Sequence, residues 1–391
     1  MPAELSMRYG CNPHQDSARC YMQNGGDVPL QILNGEPSYI NLLDALNSWQ
    51  LVRELRRTLD MPAAASFKHV SPAGAAVAVP LDAGQKEAYF VANEDLSPLA
   101  TAYARARGAD RLASFGDWIA LSDPVDIATA RLIQREVSDG IIAPAYEREA
   151  LDILKNKKGG DYRIFQIDPT YEPAPLESRE IFGFTLEQPR NDFVPDASFL
   201  KNVVTRRRDI PQSARRDLTV ATIAVKYTQS NSVCMALDGQ VIGSGAGQQS
   251  RVHCVRLAAS KADNWYLRQH PRVRRMKFKK GLKRATRINA IDLFLQEEAT
   301  PPELRAWESG FTEVPERLTQ GERRAWLDGL QGVALSSDAF FPFRDNIDRA
   351  CRSGVEFVVQ AGGSVQDDEV IAAADEYNML MINSGIRLFH H

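Results

Sequence analysis

Between Asn41 and Leu59 the apolar side chains Leu42, Leu46, Trp49, Val52, Leu55 and Leu59 recur at helical intervals, the signature of one buried helix face. Asn41 is a candidate N-cap. Asp60-Met61-Pro62 ends the run, because proline has no amide to continue the ladder. Ala63 to Val70 is an apolar run of strand length, interrupted near its end by Lys68-His69. Ser71-Pro72-Ala73-Gly74 then reads as a turn into a second, small-residue helix. Helix, strand, charged strand end, turn and helix is the alternation of an α/β sheet, where ligands gather beyond the carboxyl ends of strands.

Further along, the pattern predicts a helix over about Leu112 to Leu121, another from Val125 to Glu136, and a short strand from Gly140 to Ala143. Residues 168–196 carry Pro169, Pro173, Pro175, Pro189 and Pro195 and read as a link between two domains, 1–167 and 197–391. The second half repeats the pattern. A helix is expected over Arg215 to Tyr227 and a strand over Ser232 to Leu237. Asp238-Gly239 should form a tight hairpin turn into Gln240 to Gly243. Gly243 to Ser250 reads as a loop opening a helix near Gln249. Residues 261–330 look like a charged helical insertion, and a last α/β unit starts at Val333, with strands at Val355 to Gln360 and Met379 to Ile382.

Composition narrows the class. The chain of 391 residues is too long for one ordinary core. A net charge of −3, from 47 basic and 50 acidic side chains, supplies no global field for nucleic acid or an anionic membrane. No apolar stretch has the length of a membrane span, and Met-Pro-Ala-Glu-Leu-Ser is not a secretory signal. Five scattered cysteines with no C-x-x-C pair point to reduced thiols in a cytoplasmic protein. H-x-E and P-C-x-x-C, which zinc deaminases of nucleobases require, are both missing, so no catalytic metal is expected.

Four segments are candidates for chemistry. Lys68-His69 ends an apolar strand, where desolvation poises a lysine and an imidazole for proton transfer; an exposed strand end is the plainer account. Gly243 to Ser250 leads into a helix whose amides attract anions, with Arg251 as a clamp. It matches neither G-x-G-x-x-G nor the P-loop pattern, and taken alone a tight turn without ligand is the better account. Ser336 to Asn346 crowds Phe340, Phe341 and Phe343 around Pro342 beside Asp338, Arg344 and Asp345, a mixture suited to a flat heteroaromatic ring or to a capped turn. The ten Lys and Arg between Arg268 and Arg287 read as a solvated face rather than a guide for an anionic tail or a nucleic acid.

Several blocks, taken in order, carry a resemblance. They are Arg8-Tyr9-Gly10-Cys11-Asn12-Pro13-His14-Gln15, Ser66 to Gly74, Ser114-Phe115-Gly116-Asp117, Glu136 to Pro144, Lys226 to Ser232, Gly245 to Arg251, Ser336 to Asn346 and Arg387-Leu388-Phe389-His390-His391. Together they closely resemble the AICAR transformylase family over essentially the whole chain. The resemblance implies two cytidine-deaminase-like α/β/α units without zinc, the helical insertion lying in the second. It implies transfer of a formyl group from 10-formyltetrahydrofolate to the amine of AICAR, in a homodimer with active sites across the subunit interface. The family usually carries an IMP cyclohydrolase domain ahead of this unit. Met1 stands only a few residues before the first block, so that domain is expected to be absent, in either a stand-alone transformylase or one domain of a longer protein, and whether a separate IMP cyclohydrolase is a partner stays open.

Carried over by position, the resemblance makes His69 the general base, Lys68 the transition-state stabiliser and Asn231 an orienting group. Arg8, Tyr9, Gly116, Asp139, Asn231, Arg251, Phe340 and Arg387 become nucleotide contacts. Val252, Asp345, Ser364 and Val365 become folate contacts, with His14 and His391 lining the site. The rivals are a nucleotide sensor without catalysis, a nucleic-acid binder using residues 268–287, and a deaminase. The Lys68-His69 pair argues against the first, since a sensor needs no base.

Overall fold

The structure, a computed structural model, describes residues 3–196, 198–296 and 298–391. The helix Tyr39–Leu59 begins one turn earlier than expected, because Ser38 rather than Asn41 is its cap and accepts from Asn41 N. Asp60, at φ 50°, closes its far end. Leu42, Trp49, Val52 and Leu55 are buried along it, whereas Leu46 is exposed.

Strand Ala63–Lys68 follows, and the chain turns back through His69 and Val70, both with positive φ, into a second strand, Ser71–Val77. The two pair antiparallel, Lys68 opposite Ser71 and Ala64 opposite Ala76. The helix expected after Ser71 is therefore a strand. Its small residues serve close packing instead: a Cβ on Gly74 would sit 2.1 Å from the carbonyl oxygen of Ala106. The expected helix at 112–121 is also absent. Ser97 caps a helix over Pro98–Ala109, and Asp117–Leu121 is a fully buried strand. In both places burial between neighbouring elements outweighs local propensity.

Eleven strands among the described residues form one mixed sheet. Their order is Leu380–Asn383, Val355–Gln360, Val333–Ser337, Val233–Leu237, Gln240–Gly245, Ser71–Val77, Ala63–Lys68, Asp117–Leu121, Ser138–Ala143, Arg163–Ile167 and Leu30–Asn34. The order contains a repeat. In each half a hairpin comes first, a third strand lies antiparallel to the hairpin's first strand, and two more follow in parallel. The second strands of the two hairpins meet antiparallel at Gln240 and Ala76. That contact joins the halves into one sheet and sends the two hairpin turns to opposite ends. Val77 N donates to Gly239 O at 2.9 Å, far along the strand from His69.

Helices cover both faces. Tyr39–Leu59 and Gln212–Lys226 share one core with the sheet, while Pro98–Ala109 and Arg251–Leu267 lie on the other side in separate cores. The strand expected to end at Gly243 runs on to Gly245, which was expected in a loop, and both glycines lie beneath the helix Arg251–Leu267. Added Cβ atoms there would lie 2.1 Å from Ala258 O and 2.2 Å from Cys254 O. The hairpin turn at Asp238-Gly239 is as predicted, at φ 51° and 72°.

Besides the edge strand Leu30–Asn34, three additions stand outside this repeat among the described residues. An N-terminal hairpin pairs Glu4–Tyr9 with Asp16–Tyr21, and the proline-rich segment carries another, Leu176–Ile181 with Phe184–Pro189, exposed along both strands. The charged insertion holds short helices at Pro271–Arg274, Arg284–Leu295, Pro301–Glu308 and Gln320–Leu327 around a small core of Leu267, Val273, Phe294, Leu295, Trp307 and Phe311. Its basic run is not simply solvated: Arg272 pairs with Glu322, Arg274 with Glu87, Lys277 with Glu313 and Arg284 with Glu136. Among the described residues no helix is long and apolar enough to cross a membrane.

Because backbone oxygens occupy the space a methyl group would need, Gly74→Ala and Gly243→Ala should each cost about 1–3 kcal/mol. Urea midpoints of the two variants check this, and an unchanged midpoint for either would mean that the helix can move aside.

Candidate active site

One end of the sheet gathers the charged residues. Lys68, the last residue of its strand, donates from Nζ to Phe115 O at 2.7 Å. Gly116 follows at φ 75°, a conformation that costs glycine little, and its N donates to Val137 O at 3.0 Å. That ties the Lys68 tip to the strand Ser138–Ala143, on which Asp139 pairs with Lys158 at 2.9 Å. His69 is exposed at the turn. Behind it Asp44, on the helix Tyr39–Leu59 and only 6% exposed, accepts from Val70 N at 2.7 Å. Burial pushes the Asp44 carboxyl up, and the Val70 amide and the charge of His69 pull against that push.

The second half contributes a facing corner. Asn231 donates from Nδ2 to Gln248 O at 3.0 Å, and its Oδ1 accepts from Arg251 Nη2 at 2.7 Å. Arg251, 8% exposed, opens its helix and also pairs with the fully buried Asp338 and donates to Ser337 Oγ at 3.1 Å. Asp338 further accepts from Ser232 N at 3.0 Å. The C-terminal tail closes over this corner: Leu388 N donates to Asp338 O at 2.8 Å, and Ser230 N to His390 O at 3.0 Å. Gln229 N donates to Ser71 Oγ at 3.3 Å, which fastens the corner to the Lys68 hairpin.

Lys68, His69, Gly116, Asp139, Asn231 and Arg251 thus share one end of the sheet. Phe340 is exposed just past the strand Val333–Ser337. Asp345 starts the helix Asp345–Cys351, and Ser364 and Val365 lie beyond the strand Val355–Gln360, Val365 almost wholly exposed. Val252 is the second residue of its helix, half-buried. Arg387 is exposed, its guanidinium 4.6 Å from the Phe389 ring centroid, and that ring also lies against His391. Arg8 and Tyr9 end the first strand of the N-terminal hairpin and His14 lies in its loop. Among the described residues these three share no hydrogen bond or ion pair with the group above. Sequence reasoning missed Asp44 and gave Asp338 no role. Asp44 stands two residues from Leu42, off the apolar face read from the sequence, so the spacing carried no signal for it.

Buried charge stands behind the Lys68 tip. Ser66 Oγ donates to Asp117 Oδ2 at 2.6 Å, and Arg107 binds Asp117 at 2.8 Å and Glu136 at 3.2 Å. Glu136 also pairs with Arg111 at 3.0 Å and with Arg284 of the insertion at 2.6 Å. Burial alone would raise the Glu136 carboxyl, but Arg111, Arg107 and Arg284 outweigh it and hold it at about 2. A strand-tip lysine and imidazole opposite an asparagine–arginine corner can remove a proton and stabilise a forming oxyanion.

Comparison with known sequences gives the family. The family described as the AICARFT/IMPCHase bienzyme matches residues 1–261. The chain belongs to the AICARFT/IMPCHase family. Proteins named bifunctional purine biosynthesis protein PurH are similar along nearly all of it. The one from Roseobacter denitrificans is 33% identical over 99% of this chain, and that from Magnetococcus marinus 32% over 98%. The Myxococcus xanthus protein is 30% identical over the full chain. The chain spans 59–62% of the length of these relatives.

The depressed Glu136 sets an acid limit. A carboxyl lowered from 4.5 to about 2 on folding contributes stability that is complete above pH 4.5 and lost as pH falls towards 2, roughly 3 kcal/mol in all. Urea midpoints should therefore fall through that window. In Glu136→Gln they should start lower at neutral pH, since Arg107 and Arg111 lose their partner, and fall less steeply. Parallel pH profiles for the two proteins would contradict this.

Proposed function

We propose that this chain is a purine-biosynthesis enzyme that transfers the formyl group of 10-formyltetrahydrofolate to the 5-amine of AICAR, giving FAICAR and tetrahydrofolate. Membership of the AICARFT/IMPCHase family supports the substrates. The observation that carries the reaction is the strand tip of Lys68 and His69 opposite the Asn231–Arg251 corner at one end of the sheet.

The acceptor amine is a poor nucleophile, because its lone pair is delocalised through the imidazole ring into the carboxamide. Positioning and proton removal must supply the acceleration. His69 takes a proton from the amine as its nitrogen bonds to the formyl carbon. The formyl oxygen gains negative charge, which Lys68 stabilises and Asn231 helps to orient. The bond from the formyl carbon to N10 then breaks, its electron pair stays on N10, and the proton held by His69 returns there. Arg251, Gly116, Asp139, Phe340 and Arg387 hold the nucleotide in this reading, joined by Arg8 and Tyr9. Asp345 binds the pteridine edge, with Val252, Ser364 and Val365 along the folate and His14 and His391 at the margin. No metal takes part.

Those margins suit a homodimer. The hairpin Leu176–Ile181/Phe184–Pro189 is exposed throughout and presents Phe182 at 97% and Phe184 at 69% exposure. Apolar surface of that kind marks a protein partner, and a second copy would also bring further side chains to the sheet end.

Purified protein mixed with AICAR and 10-formyltetrahydrofolate should yield the formylated nucleotide. Lys68→Ala and His69→Ala should each lower kcat by about 10²-fold or more with nucleotide binding kept; near-normal turnover in either variant would remove its role. Sedimentation velocity should show a dimer that Phe182→Asp/Phe184→Asp converts to monomer. A dimer undisturbed by both changes would place the interface elsewhere.

A further inference from the structure

The two hairpin turns of the repeat are held in the same way. The helix preceding each hairpin has an aspartate as its sixth residue, Asp44 in Tyr39–Leu59 and Asp217 in Gln212–Lys226. Asp217 accepts from Asp238 N at 2.9 Å and from Gly239 N at 2.6 Å. Asp44 accepts from Val70 N at 2.7 Å. The carboxylate clamp is therefore part of the repeated unit.

The turns themselves differ. Two successive left-handed residues suit Asp-Gly, which fills the second turn. His69 at φ 53° and Val70 at φ 57° fill the first, and a β-branched side chain is strained there. Such strain persists only where the surroundings over-determine it. It is kept at the turn bearing the candidate base, while the Asp217 turn lies at the opposite end of the sheet. Asp44 is also in electrostatic contact with His69 and with Asp139, the latter paired with Lys158.

We propose that Asp44 is a positioning residue for His69: its carboxylate locks the left-handed His69–Val70 turn and sets a negative charge behind the imidazole. The clamp fixes the backbone from which the imidazole projects, and the carboxylate is near enough to interact with the charge of the ring. Asp217 performs only the first of these tasks. This assignment rests on reading His69 as the base.

The test compares Asp44→Asn, Asp217→Asn, His69→Ala and the double variant Asp44→Asn/His69→Ala in the full chain. Asp44→Asn should lower kcat by roughly 10- to 100-fold with nucleotide KM within about 3-fold. Asp217→Asn should lower Tm but leave kcat within about 2-fold, and Asp44→Asn should add no more than about 2-fold once His69 is gone. If Asp44→Asn does not fold, the same measurements are made in a Val70→Gly background, where glycine relieves the turn. Equal losses with and without His69, or a loss no greater than that of Asp217→Asn, overturn the proposal while the base stands. A His69→Ala enzyme with near-normal turnover overturns the reading of the base, and this assignment with it.

Discussion

The antiparallel meeting of Ser71–Val77 with Gln240–Gly245 at the middle of the sheet decides where everything else lies. Because the second strands of two like hairpins pair head to tail, the halves are turned end for end. The tip carrying Lys68 and His69 in one half therefore lies at the same end of the sheet as Asn231 and the start of the Arg251 helix in the other. Neither half alone holds both groups.

That seam depends on small residues. Gly74, Gly243 and Gly245 let the helices Pro98–Ala109 and Arg251–Leu267 approach the sheet to backbone contact. Close approach brings Arg251 within reach of Asp338 and Asn231, and Arg107 within reach of Asp117. On the other face the buried Lys226–Glu54 pair, 2.8 Å apart, binds the two long helices across the seam, with Tyr227 donating to the same carboxylate at 2.7 Å. Tight packing and buried charge are thus two aspects of one joint. Leaving any of these ions without its partner would be costly.

The insertion is tied to the same end of the sheet. Arg284 completes the set of guanidiniums around Glu136, three residues from Asp139. Half of the basic run that looked solvated in the sequence is paired with carboxylates, from elsewhere in the insertion and from the first half of the chain. Periodicity within the run carries no trace of those partners.

Some of this was written in the sequence. The long helix ending at Leu59, the strand that carries Lys68, the Asp238-Gly239 turn and the late strands could be read from period and turn chemistry, because those signals are local. The resemblance of the ordered blocks identified the family. Local signals failed at Ser71–Val77 and Asp117–Leu121, where an alanine- and glycine-rich segment and a short apolar run each suit either state. What selected strand was burial between neighbours distant in the chain. The same holds for the site. Lys68 and His69 were visible as charges at the end of an apolar strand. The carboxylate of Asp44, 25 residues before His69 in the sequence, and Asp338 behind Arg251 became evident only from the packing. A single sequence records which side chains are charged; the folded chain decides which of them face each other.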